Sequence, residues 1–223
     1  MLDGLRGVIG RVFRPIAKGL LRMGVSPDAV TIIGALGTIA AALYFFSTGK
    51  FLVGALVVAA LALFDALDGT MARLSGKSGP WGAFLDSTLD RFADAAIFGG
   101  IAVFYLITEP HVLTGYLAIV CLVLGFGVSY ARARAEGLGF TAAVGIAERA
   151  DRLAAVLVAA ALVGVGLPHA VMTVVLGLLA VASVITVLQR MVVVRRQALA
   201  LPTEGSANPA EGSANPAEGA EQS

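Results

Sequence analysis

Six apolar stretches follow one another along the chain: Val30–Phe46, Phe51–Leu74, Gly82–Ile107, Val112–Arg132, Leu153–Leu167 and Ala170–Arg190. Each reads as a helix at or near the ~20 residues that a bilayer crossing needs. The second has an unbroken apolar run only from Phe51 to Phe64, so it spans only if the helix continues through Asp65 and Asp68. The fifth is short and must borrow residues from the 150–152 side. Ahead of the first span, Leu5, Val8, Ile9, Val12, Phe13, Ile16, Leu20 and Leu21 recur at helical spacing among Arg6, Arg11, Arg14, Lys18 and Arg22. That pattern predicts a basic amphipathic helix over residues 1–27, lying on an anionic leaflet and kinked at Pro15, and is too charged for a secretory signal. At the far end, Glu204–Ala210 and Glu211–Ala217 repeat the same seven residues, EGSANPA. Gly and Pro in every copy, with no large apolar residue, predict a disordered tail over 197–223. The expected fold is all-α: an interfacial helix and a six-helix transmembrane domain over 28–196.

Composition agrees. Of 223 residues 58% are apolar and 14% charged, with a mean hydropathy of +0.88, against about 25% charged in a soluble domain. Cys121 is the only cysteine, which excludes an intrachain disulfide and a Cys-ligated metal. With six spans both termini share a side. Fifteen of the sixteen Lys and Arg residues then fall on that side, and Lys50 alone on the other. The positive-inside rule places both termini and the basic face in the cytoplasm, with the plasma membrane as the expected location.

Asp65, Asp68, Asp86, Asp90 and Asp94 lie in or beside apolar helices, where a charge by default marks function. At ~1.5 Å rise per residue, Asp68 and Asp65 sit about 7.5 and 12 Å above Arg73, and Asp86 and Asp90 about 6 and 12 Å above Gly82. Two level pairs on adjacent antiparallel helices would share one cavity, where protons or cations must neutralise them. All-oxygen ligation without nearby His or Cys points to Mg²⁺ or Mn²⁺, and two ions would balance four carboxylates. Asp94 continues the Asp86/Asp90 stripe by a turn; a direct role and a supporting one both remain open for it.

The run Asp65-x₂-Asp68-Gly69-x₂-Ala72-Arg73-x₈-Gly82-x₃-Asp86-x₃-Asp90 resembles the signature of the CDP-alcohol phosphotransferases at every fixed position. Residues 130–139 and 145–152 are most similar to the actinobacterial phosphatidylinositol-phosphate synthases. The resemblance implies a membrane enzyme that moves the phosphatidyl group of CDP-diacylglycerol to an alcohol, releases CMP, and works as a homodimer; no nucleic-acid partner is expected. It implies that Asp65, Asp68 and Asp86 hold one ion, that Asp65, Asp86 and Asp90 hold the second, and that Asp90 is the base. It also implies a CDP-lipid site built from Asp28, Ala29, Val30, Thr31, Gly69, Arg73, Gly79 and Gly82. The family often has a small hydroxyl residue where this chain has Gly79, so Ser78 or the backbone would substitute. On local physics Asp28 reads equally well as a helix cap, and Gly69 or Gly82 taken alone as a packing site.

Arg132, Arg134, Arg149, Arg152 and Arg195 all fall at cytoplasmic helix ends. An ordinary positive-inside flank accounts for many of them, but arginines converging on a wet cavity would bind phosphate. That favours a phosphorylated acceptor, and the segment resemblance favours inositol phosphate over glycerol 3-phosphate. A cation transporter is the reading from another class; against it, the carboxylates lie near one surface and not at the midplane.

Overall fold

The computed structural model describes residues 14–76 and 79–201, except that the side chains of Phe64, Asp65 and Ala66 are outside it. The proposed amphipathic stripe before residue 14, the repeated tail from 202 onward, and Ser78 therefore lie outside the described residues. Residues 14–22 form a short helix, α1. Six longer helices follow: α2 (Pro27–Ser47), α3 (Phe51–Ser75), α4 (Pro80–Val103), α5 (Val112–Gly137), α6 (Arg149–Gly164) and α7 (Ala170–Leu199). A single π-helical turn, Phe104–Thr108, continues α4.

The boundaries have local causes. The Ser26 hydroxyl caps α2 by accepting from the Ala29 amide at 3.2 Å, with Pro27 in the first turn. Pro80 starts α4 in the same way, behind Gly79 in extended backbone. At α6 the Asp151 carboxylate accepts from the Glu148 amide at 3.1 Å, which fixes the start of the helix four residues upstream of its first Leu. Helix α7 runs on through Gln197, whose side-chain oxygen accepts from the Thr141 amide at 2.9 Å, so residues 197–199 belong to the helix and not to the tail.

Among the described residues, five segments are long and apolar enough to cross a membrane: α2, α3, α4 with its π turn, α5 and α7. Helix α6, with 16 residues, is about 24 Å long, shorter than a ~30 Å hydrocarbon core. Large side chains such as Leu36, Leu56, Leu63, Val123, Val174 and Leu178 point outward, exposed. Helices apolar on every face suit a chain whose solvent is lipid.

Packing runs in a closed ring: α2 on α3, α3 on α6, α6 on α7, α7 on α5, α5 on α4, and α4 back on α2. The two carboxylate-bearing helices, α3 and α4, were expected to lie side by side; among the described residues they make at most marginal contact, and α2 packs against both. Direct contact would bring like charges together across a dry seam, whereas the ring leaves space between them. Glycines permit the tightest approaches: a Cβ on Gly164 would sit 2.3 Å from the Leu52 amide nitrogen, and one on Gly100 2.8 Å from the Ala42 carbonyl oxygen.

The two ends of the ring differ. At the end carrying the 47–51 turn, Phe46, Phe51, Phe104 and Tyr105 are buried against one another, and the Tyr105 hydroxyl lies 2.8 Å from His169 Nδ1. Aromatic packing closes that end. At the other end, Ala17, Leu67 and Met71 form a small separate cluster that seats α1 on the ends of α2 and α3.

Candidate active site

Opposite the aromatic closure the ring encloses a cavity of about 870 Å³. Its acidic wall is Asp86 and Asp90 on α4, one helical turn apart, with Thr31 of α2 beside them. Thr31 reaches beyond the cavity: its hydroxyl hydrogen-bonds Asp68 on α3, and the Asp68 carboxylate also takes its neighbour's amide at Gly69. Asp86 and Asp28 are close enough to Asp68 to repel it electrostatically. Helix α2 thus ties the two halves of the acidic motif together through one threonine. Asp65 lies on α3, in the turn preceding Asp68, with its side chain outside the described residues. Among the described side chains, no three of His, Cys, Asp or Glu converge closely enough to hold an ion.

Asp28 is not the cap of α2, a part Ser26 takes; its carboxylate accepts instead from the Trp81 indole N–H at 3.1 Å. That contact joins the first turn of α2 to the first turn of α4 over the mouth of the site. Gly69, Gly79 and Gly82 have nothing within 4 Å of where a Cβ would stand. They are not packing glycines. They border open space at the edge of the acidic cluster, and Arg73 stands exposed nearby, with Nη2 3.4 Å from the Thr70 hydroxyl. Ala29 and Val30 are half-buried in the same first turn of α2.

The facing wall is basic. Arg132, Arg149, Arg152 and Arg190 line the cavity there together with Glu136 and Glu148, and Arg91 of α4 lines it on the carboxylates' own helix. Arg152 is 2% exposed and Arg190 3% exposed, an unusual depth for guanidinium groups. Arg190 is held by backbone carbonyls, through Nε to Val144 O at 2.9 Å and through Nη1 to Val128 O. Arg152 Nη1 donates to Ala147 O at 3.1 Å, while its Nε and Nη2 make no hydrogen bond. Gly125 of α5 lies against this guanidinium: a Cβ there would make ordinary van der Waals contact, 3.5 Å from Nη2. Arg132 is exposed and pairs with Glu136 at 2.8 Å.

Two walls of opposite charge meet through ion pairs. Arg149 Nη2 lies 2.8 Å from Asp90 Oδ1, and Arg149 Nε lies 3.1 Å from Asp94 Oδ1. Arg91 approaches the other Asp90 oxygen at 3.7 Å and also bonds Ser129, and Arg152 Nη2 approaches Asp94 Oδ2 at 3.7 Å. Asp94, left open between two roles above, is 8% exposed and faces arginines of α6.

Not every expected residue joins the cavity wall. Arg134 and Arg195 are exposed and off it. Arg134 is two residues beyond Arg132, so the helix turns it ~200° away. Arg195 lies more than a turn past Arg190, beyond the cavity. Arg190, buried and on the wall, was missed because it had been read as the flank of the last span. The signal was available: it interrupts an apolar run and is not at the helix end.

A family model described as CDP-alcohol phosphatidyltransferase matches residues 24–185, which run from α2 into the middle of α7 and include the cavity lining except Arg190. The chain belongs to the CDP-alcohol phosphatidyltransferase family. Relatives within the family include the phosphatidylinositol phosphate synthase of Streptomyces avermitilis, 45% identical over 199 residues, which cover 86% of this chain and 82% of the relative. That of Cutibacterium acnes is 45% identical over 203 residues, covering 88% and 98%. Among solved structures, Mycobacterium tuberculosis phosphatidylinositol phosphate synthase with CDP-DAG bound superposes with a TM-score of 0.80 at 41% identity, covering 82% of this chain and 94% of that one. The same enzyme in complex with manganese and citrate gives 0.79. This member of the family is a multi-pass membrane protein.

Proposed function

We propose that the chain transfers the phosphatidyl group of CDP-diacylglycerol to inositol phosphate, giving phosphatidylinositol phosphate and CMP, at the cytoplasmic face of the plasma membrane. The observation that carries this reading is a single cavity with a carboxylate wall on α4 and an arginine wall on α5, α6 and α7. One wall suits a cation-bridged diphosphate; the other suits a phosphorylated acceptor.

The donor set fits hard divalent cations: Asp68, Asp86 and Asp90 offer only oxygens, and Asp86 repels Asp68. We assign two Mg²⁺ ions to Asp65, Asp68, Asp86 and Asp90, with Mn²⁺ able to replace them, as the manganese-bound relative supports. When bound, the ions would offset diphosphate charge and stabilise departing CMP. The remaining work falls to the chain. Gly69, Gly79 and Gly82 leave open the space that a nucleotide needs beside the backbone. Asp28, Ala29, Val30, Thr31 and Arg73 would complete the CDP-lipid site, and Ser78 is assigned to it by its place in the sequence beside Gly79. Asp90 takes the proton from the acceptor hydroxyl as the new P–O bond forms and the bond to CMP breaks. Arg132, Arg149, Arg152 and Arg190 hold the acceptor's phosphate so that its hydroxyl meets Asp90.

An acceptor panel with purified protein and CDP-diacylglycerol tests the assignment. CMP release should require a divalent cation and be fastest with inositol phosphate. Release only with glycerol 3-phosphate would replace the acceptor, and cation uptake without CMP would replace the enzyme.

A further inference from the structure

Asp94 is outside the family motif, yet it is the most deeply buried acidic residue among those described, and it meets two arginines of α6. It meets Arg149 through Nε at 3.1 Å. The outer end of the same guanidinium, Nη2, rests 2.8 Å from Asp90, a carboxylate to which the mechanism assigns a cation and a proton. A divalent ion and a guanidinium compete for the same carboxylate oxygens and repel each other. Arg149 also lines the cavity and is about one-third exposed, so its outer end has room to swing.

We propose that Asp94 is a positioning residue that holds Arg149 by Nε as a pivot. Arg149 then leaves Asp90 when that carboxylate is neutralised by a divalent ion, and turns its freed end to the acceptor's phosphate. This rests on the acceptor reading above and goes beyond it: the metal and acceptor sites share one arginine, so filling the first prepares the second. Linkage makes the effect reciprocal. Acceptor phosphate would bind productively only after the metal-bearing donor site is assembled. The arginine would meanwhile spare Asp90 from facing Asp86 and Asp68 uncompensated.

The test is calorimetric titration of the full chain in lipid nanodiscs with inositol phosphate, with and without MgCl₂, and with unphosphorylated inositol as control. In the wild type, Mg²⁺ should tighten inositol phosphate binding by at least about five-fold, the lower end of ordinary coupling between sites. In Asp94→Asn the ratio of the two affinities should fall towards one. Arg149→Lys keeps the charge but has one nitrogen in place of a separate pivot and swinging end; it should lose the ratio as well, and it serves as the readout if Asp94→Asn does not fold. An Mg²⁺ ratio as large in both variants as in the wild type is what the ions' field alone would give, and it would overturn the pivot while leaving the acceptor reading intact. Equal binding of inositol and inositol phosphate would instead overturn the acceptor reading and the pivot with it.

Discussion

Asp68, Asp86 and Asp90 owe their importance to spacing: residues three or four apart on a helix share a face, so the motif could be read as a shared cluster before any fold was known. Asp68→Asn and Asp86→Asn are expected to abolish CMP release while membrane insertion and melting temperature stay near wild type; full turnover in either would remove the metal assignment. Asp90→Asn should lower kcat far more than it weakens CDP-lipid binding, because a base acts in the transition state and less in the ground state. The arginines were harder to read. Charge near a helix end looks the same whether it flanks a membrane or faces a cavity, and only rotation around the helix separates Arg132 from Arg134. A charged hydrogen bond to phosphate is worth about 1.5–3 kcal/mol. Arg132→Ala should therefore raise the acceptor KM by roughly ten-fold or more at constant donor KM, and Arg134→Ala should leave both unchanged. For Arg190 the sequence shows an arginine interrupting an apolar run, but not its partners, the backbone carbonyls of Val128 and Val144, which lie far away in the chain.

The helices themselves were largely legible, because long apolar runs bounded by Ser26-Pro27, Gly79-Pro80 and Glu148 carry their start signals with them. Their neighbours were not. Chain order suggested α3 beside α4, whereas the ring places α2 between them; short connections make consecutive helices antiparallel without deciding which faces meet. The decisive contacts depend on absent side chains. At Gly164 a Cβ would meet the Leu52 backbone amide, which cannot swing aside as a side-chain tip can. Gly164→Ala should lower stability by about 1–3 kcal/mol, the usual cost of overpacking. It would be read as a drop in melting temperature in detergent, with acceptor and donor KM values unaltered in the fraction that stays folded.

For the molecule as a whole, orientation is open to a direct test. Cys121 is buried, with its thiol against the Leu176 carbonyl, so an introduced cysteine would carry any surface label alone. With both termini inside, a membrane-impermeant maleimide should label Thr48→Cys on intact cells and Leu201→Cys only after the membrane is opened; the reverse pattern would invert the topology. The aromatic closure by Phe46, Phe51, Phe104 and Tyr105 has a consequence of its own. The chamber is shut at that end. Nucleotide, acceptor and spent CMP would then share the side opposite the aromatics, and the lipid product would leave sideways into the leaflet it came from. A protein built this way should carry no current: in a planar bilayer under voltage it should be electrically silent, however much Mg²⁺ its carboxylates hold.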